Sequence, residues 1–65
     1  MVVVRVTMYD RWSADYIIPT NDEDVALEIA FQNAKRTFSC TMPDTKEQMG
    51  DGIEIISTDA KLVNV

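Results

Sequence analysis

Histidine is absent from this chain and cysteine occurs once, as Cys40. A Ser or Cys nucleophile needs an adjacent base, most often His, so the commonest covalent chemistry has no apparatus here. The usual zinc ligand sets are out of reach, and a lone thiol closes no internal disulfide. The expectation is no enzyme, no metal and no cofactor. An unpaired thiol also points to a reducing compartment, hence a cytoplasmic location. Cations are scarce, six Lys and Arg against eleven Asp and Glu for a net charge of −5. This argues against direct nucleic-acid binding, which rests on cations neutralising phosphates. No run approaches the roughly 20 apolar residues of a membrane span, and the stretch from Met1 to Val6 lacks the regions of a secretion signal. Neither export nor a membrane partner is expected. Glycine and proline number two each, and 46% of residues are apolar, which fits a folded core better than a disordered acidic tail. Residues 1–65 read as one domain, at the lower edge of sizes that fold alone. Packing, or a partner, must supply its stability.

What is present is periodic. Val2, Val4, Val6 and Met8 alternate with Val3, Arg5, Thr7 and Tyr9, a half-buried strand. Asp10-Arg11-Trp12-Ser13 suits a turn, and Ala14 to Ile18 resumes an extended pattern with Tyr16 and Ile18 on one side, completing a hairpin. After Pro19, Thr20-Asn21-Asp22-Glu23 has the form of a capping box, which predicts a helix from about Asn21 to about Arg36. Its acids Asp22, Glu23 and Asp24 open the first turn and its cations Lys35 and Arg36 close the last, complementing the macrodipole. Leu27, Ala30, Phe31, Ala34 and Phe38 form the expected core stripe, while Val25 and Ile29 sit well around the cylinder. Those two either pack under a flanking strand or loop or meet another chain. Thr37 to Met42 alternates like a strand, in competition with helix continuation. Pro43 to Gly52 reads as one long loop with room for a helical turn. Ile53 to Ser57 and Lys61 to Val65 then pair as a last hairpin. The fold class is therefore α+β, a small antiparallel sheet of four to five strands on one helix, in the order β-β-α-β-β or β-β-α-β-β-β.

Each candidate for chemistry has a plain structural explanation. Cys40 falls on the apolar side of its predicted strand with Phe38 and Met42, a buried structural thiol. Asp44, Glu47, Asp51 and Glu54 lack the ligand ladder of a calcium loop and read as solvated loop carboxylates. Gly50-Asp51-Gly52 leads from no strand into a helix and makes no phosphate cradle. Two features can carry binding. Residues 1–34 hold six acids and two bases, a charge of −4, against −1 for the remainder; this marks either a solvated helix start or a surface aimed at a basic groove. Tyr9, Arg11 and Trp12 at the first turn are residue types common in interface hot spots, although Trp12 equally suits a core cap.

The segment Thr20-Asn21-Asp22-Glu23, followed by Ala26-Leu27-Glu28-Ile29-Ala30-Phe31-Gln32, resembles the helix of the small inhibitor of host RNA polymerase made by T-odd coliphages. Length, acidity and strand-strand-helix-strand order agree. The resemblance implies a compact α+β protein, without enzymatic activity, that binds the jaw of bacterial RNA polymerase through an acidic surface and an Arg-bearing strand. The terminal hairpin from Ile53 to Val65 departs from that pattern, and the family's contact arginine is assigned to neither Arg5 nor Arg11. The expectation is a non-enzymatic protein-binding module of phage or mobile-element type in the bacterial cytoplasm. Its partner would be a host protein or nucleoprotein complex with a basic surface, such as RNA polymerase or a defence or CRISPR complex. Tyr9, Arg11, Trp12, Asp15, Asp22, Glu23, Asp24, Val25, Glu28 and Ile29 are the expected contact residues. The alternative is a small structural subunit or homodimer module, joined through Val25 and Ile29 or through an edge strand such as Val2 to Met8.

Overall fold

The structure, a computed structural model, describes residues 1–8 and 11–58. Over these residues the chain is α+β, with a three-stranded antiparallel sheet and one α-helix. The first alternating segment forms β1 (Val2–Met8) and hairpins with β2 (Trp12–Ile18), paired from Val2 against Ile18 to Met8 against Trp12. The Arg11 N–H donates to the Met8 carbonyl at 2.8 Å to close the connection. β3 (Ile53–Ser57) pairs with the other side of β1, giving the order β2-β1-β3, with a register irregularity between Val3 and Val4.

β1 is thus the central strand, not the edge strand through which the homodimer alternative would join two copies. Three consecutive valines explain the choice: Val2 and Val4 face the core while Val3, on the other face, is still only 8% exposed. A strand apolar on both faces gains most where neighbours flank it on both sides. The expected four to five strands reduce to three among the described residues. Lys61 to Val65, read as the last strand, lies outside the described residues.

The helix α1 (Glu23–Phe38) runs two residues beyond its predicted end, and the strand expected at Thr37 to Met42 is absent; a 3-10 turn (Ser39–Thr41) takes its place. Tertiary packing decides this. Phe38 falls on the same helix face as Phe31 and Ala34, and its ring stacks on Trp12 with centroids 4.0 Å apart and planes 18° from parallel. The Trp12 indole N–H donates to the Thr41 hydroxyl at 3.1 Å, and that hydroxyl donates to the Phe38 carbonyl at 3.0 Å. One orphan carbonyl of the helix end is satisfied this way. Cys40, released from the expected strand, is exposed rather than buried.

At the other end the predicted capping box does not form. Asp22 is the N-cap, and its carboxylate accepts from the Asp24 and Val25 N–H groups at 3.0 and 3.2 Å. The Thr20 hydroxyl instead accepts the Asp22 N–H at 3.1 Å. A carboxylate at this position also meets the positive end of the helix dipole. The segment after the helix is strapped down by Lys35, whose Nζ donates to the Pro43 carbonyl at 2.8 Å and lies 3.7 Å from Asp44. Lys46–Gly52 then forms 3-10 turns broken at Gly50, where φ is +58°. Gly52 leaves room for the backbone, since a Cβ there would sit 2.8 Å from the Thr7 carbonyl oxygen.

The core lies between α1 and the sheet. Val2, Val4, Val6, Ile18, Ala26, Ala30, Phe31, Ala34 and Met42 are buried in it, with Trp12, Tyr16, Leu27, Phe38 and Ile55 packed at its margin. No helix of the described residues is long and apolar enough to cross a membrane. Phe31 is the largest fully buried side chain, so Phe31→Ala should cost about 3–5 kcal/mol, a large share of the total stability of so small a domain. Ile29→Ala, on the outer side of the same helix, should change stability by no more than about 0.5 kcal/mol. Urea unfolding followed through Trp12 fluorescence checks both.

Candidate functional site

Two aliphatic side chains that helical periodicity could not place in the core are also outside it in space. Val25 is 43% exposed and Ile29 39%. At about 100° per residue they lie outside the arc of Ala26, Ala30, Ala34 and Phe31, Ile29 about 60° and Val25 about 100° around the helix from Ala26. Gln32 and Arg36 continue the same outward stripe, and Asp22 begins it. Glu28 borders it and accepts a hydrogen bond from the Gln32 amide at 2.8 Å. Asp22, Glu23, Asp24, Glu28 and Arg36 are all exposed, and none of them forms an ion pair with a described residue. Six of the expected contact residues therefore share one helix: Asp22, Glu23, Asp24, Val25, Glu28 and Ile29.

Arg11, Trp12 and Asp15 do not join them. Trp12 stands at the far end of α1, about 24 Å from its start at 1.5 Å per residue, and is committed to Phe38 and Thr41. Its role as a core cap accounts for both its ring and its N–H. Arg11 is exposed beside it. Tyr9 lies outside the described residues. Asp15 is on the sheet face turned away from α1, where alternation along β2 puts Ser13, Asp15 and Ile17 outward and Trp12, Ala14, Tyr16 and Ile18 inward. It faces Arg5 across the hairpin in a bidentate pair, Nε to Oδ1 at 2.8 Å and Nη2 to Oδ2 at 3.2 Å. Glu54 flanks Arg5 on β3. The hydrogen bond from Arg5 holds the Asp15 carboxyl below its ordinary range, and the same bond, reinforced by the charge of Asp15, raises the Arg5 guanidinium.

Two other surfaces stand out. On the face away from α1, Ile17 is 53% exposed and Ile56 is exposed on β3. At the end of the sheet an open groove of about 840 Å³ lies between the 3-10 segments, lined in part by Met8, Met42, Met49 and Cys40. Cys40 and Met42 line it from a segment that is a 3-10 turn where alternation suggested a strand, so no sequence period announced this groove. Gln32 and Arg36 were legible, since residues 22, 25, 29, 32 and 36 recur at alternating three- and four-residue spacing. Among the described residues no three His, Cys, Asp or Glu side chains gather as a metal site, and every buried side-chain polar atom has a hydrogen-bond partner. The outward stripe of α1 is a surface with apolar and acidic character.

No protein-family model matches this chain, and no curated protein or solved structure matches it either.

The Arg5–Asp15 pair has a definite pH signature. Because Asp15 is depressed in the fold, its contribution is present above the ordinary unfolded carboxylate value of about 3.9 and is lost as pH falls through the lower folded value. Side chains 44% and 46% exposed make that contribution small and salt-sensitive. In a carboxyl-detected NMR titration Asp15 should titrate below the ordinary range of an aspartate, and Arg5→Met should return it to that range. An Asp15 midpoint indifferent to that substitution would break the assignment.

Proposed function

We propose that the chain is a non-enzymatic protein-binding module that docks the outward face of α1 on a basic surface of a host enzyme or nucleoprotein complex. The observation that carries this reading is the exposure of Val25 and Ile29 beside the carboxylates of Asp22 and Glu28, with Glu23 and Asp24 exposed on the same end of the helix. Exposed aliphatics on a helix stripe suit insertion into an apolar groove, read at one-turn spacing. Carboxylates without cationic partners around them favour a rim of Lys and Arg, which speeds encounter and fixes orientation. Arg11, Trp12 and Asp15 fall outside this surface. The resemblance of the helix region to the phage inhibitors of bacterial RNA polymerase supports an inhibitor of phage or mobile-element type acting in the host cytoplasm. RNA polymerase or a defence or CRISPR complex would be its target.

Affinity capture with the tagged protein from bacterial lysate, at low and moderate salt, tests the proposal. A host complex should be retained at low salt, weakened at moderate salt, and lost with Ile29→Lys or with Asp24→Lys combined with Glu28→Lys. These positions are exposed and spare the Asp22 cap. Retention indifferent to all three substitutions would remove α1 as the docking surface.

A further inference from the structure

We infer that α1 also docks on a second copy of itself, antiparallel, about a two-fold axis at Ile29. The seam is written in the outward stripe. Asp22, Val25, Ile29, Gln32 and Arg36 occupy the alternating three- and four-residue positions through which two helices interlock. Its two ends carry opposite charge. A parallel pairing would set Asp22 on Asp22 and Arg36 on Arg36, whereas an antiparallel one sets each Asp22 beside Arg36 of the second copy. The spacing is symmetric, because 29 − 22 and 36 − 29 are both 7. Asp22 and Arg36 therefore lie about 10.5 Å along the axis on either side of Ile29. An axis at that residue stacks Ile29 on its copy, flanks it with the two Val25 side chains and closes both charge pairs at once.

The groups needed are available. Arg36 is exposed and makes no ion pair among the described residues. Asp22 caps its helix through Oδ1 alone, so Oδ2 can accept from an arginine. Antiparallel helices also set opposite dipole ends side by side. One competing route, pairing of two β2 edge strands, is opposed by its centre. An antiparallel pair in register about Asp15 would set the two carboxylates face to face.

A seam with two aliphatics per copy buries far less than the roughly 1,200–2,000 Å² of stable complexes. The dimer is accordingly weak and reversible, and it covers the face assigned above to the partner. The dimer stands on its own geometry; only its competition with a partner rests on that assignment.

Sedimentation equilibrium of the full chain, from low micromolar to submillimolar at about 0.15 M salt, where charges beyond about 8 Å are screened, is the test. The wild type should show a reversible monomer–dimer equilibrium, and Ile29→Asp should be monomeric throughout. Asp22→Lys and Arg36→Asp, each confirmed as folded by circular dichroism because Asp22 is a cap, should each weaken self-association about tenfold or more. An equimolar mixture of those two variants should recover it, since both charge pairs are restored in the mixed dimer. A wild type that stays monomeric, or folded variants whose mixture associates no better than either alone, overturns the inference. Both results leave the outcome of lysate capture untouched.

Discussion

Ala26, Ala30 and Ala34 meet the sheet at one-turn intervals with nothing beyond Cβ, and all three are fully buried. Such a face lets α1 settle directly over Val2, Val4 and Val6 on the central strand, also almost completely buried. Most other features of the fold follow from this contact. With so little volume supplied by the inner face, Phe31 must fill the core where the alanines do not reach, and no second large side chain of the helix is fully buried. The ends are then fixed by polar groups, the Asp22 carboxylate at the start and the Trp12–Thr41–Phe38 relay at the finish. The same arrangement leaves the branched aliphatics Val25 and Ile29 on the outside, where burial does not explain them.

Period-two alternation made β1, β2 and β3 legible, and the charge asymmetry of the helix made α1 legible. What escaped was decided by contacts between residues distant in the chain. Thr37 to Met42 alternates like a strand, but the stacking of Trp12 on Phe38 favours helix and then a 3-10 turn, which turns Cys40 outward. The N-cap moved from Thr20 to Asp22 because both residues suit a cap and only the geometry of the incoming chain chooses between them. β1 took the centre of the sheet although its neighbour in sequence lies on one side only; β3 had to return from across the helix to cover it.

The candidate surface divides in the same way. Its helical members were legible because a helix converts spacing directly into a shared face. Asp15 was separated from them by the sheet, since one residue of displacement along β2 sends a side chain to the opposite face, and Trp12 by the length of α1, at whose far end it packs on Phe38. Asp15 is consumed in its pair with Arg5, and Trp12 in capping the helix end. The surface that remains is smaller than the sequence suggested and more coherent, with an apolar centre and an acidic margin on one rigid element.

Methyl-resolved NMR of the chain labelled at Ile and Val, recorded with and without a captured host complex, addresses the central claim directly. Docking through α1 requires the methyls of Val25 and Ile29 to shift or broaden on binding, while Ile17 and Ile56, exposed on the face away from α1, keep their positions. Perturbation of Ile17 and Ile56 with Val25 and Ile29 unmoved would contradict it, and would transfer the function to the open face of the sheet.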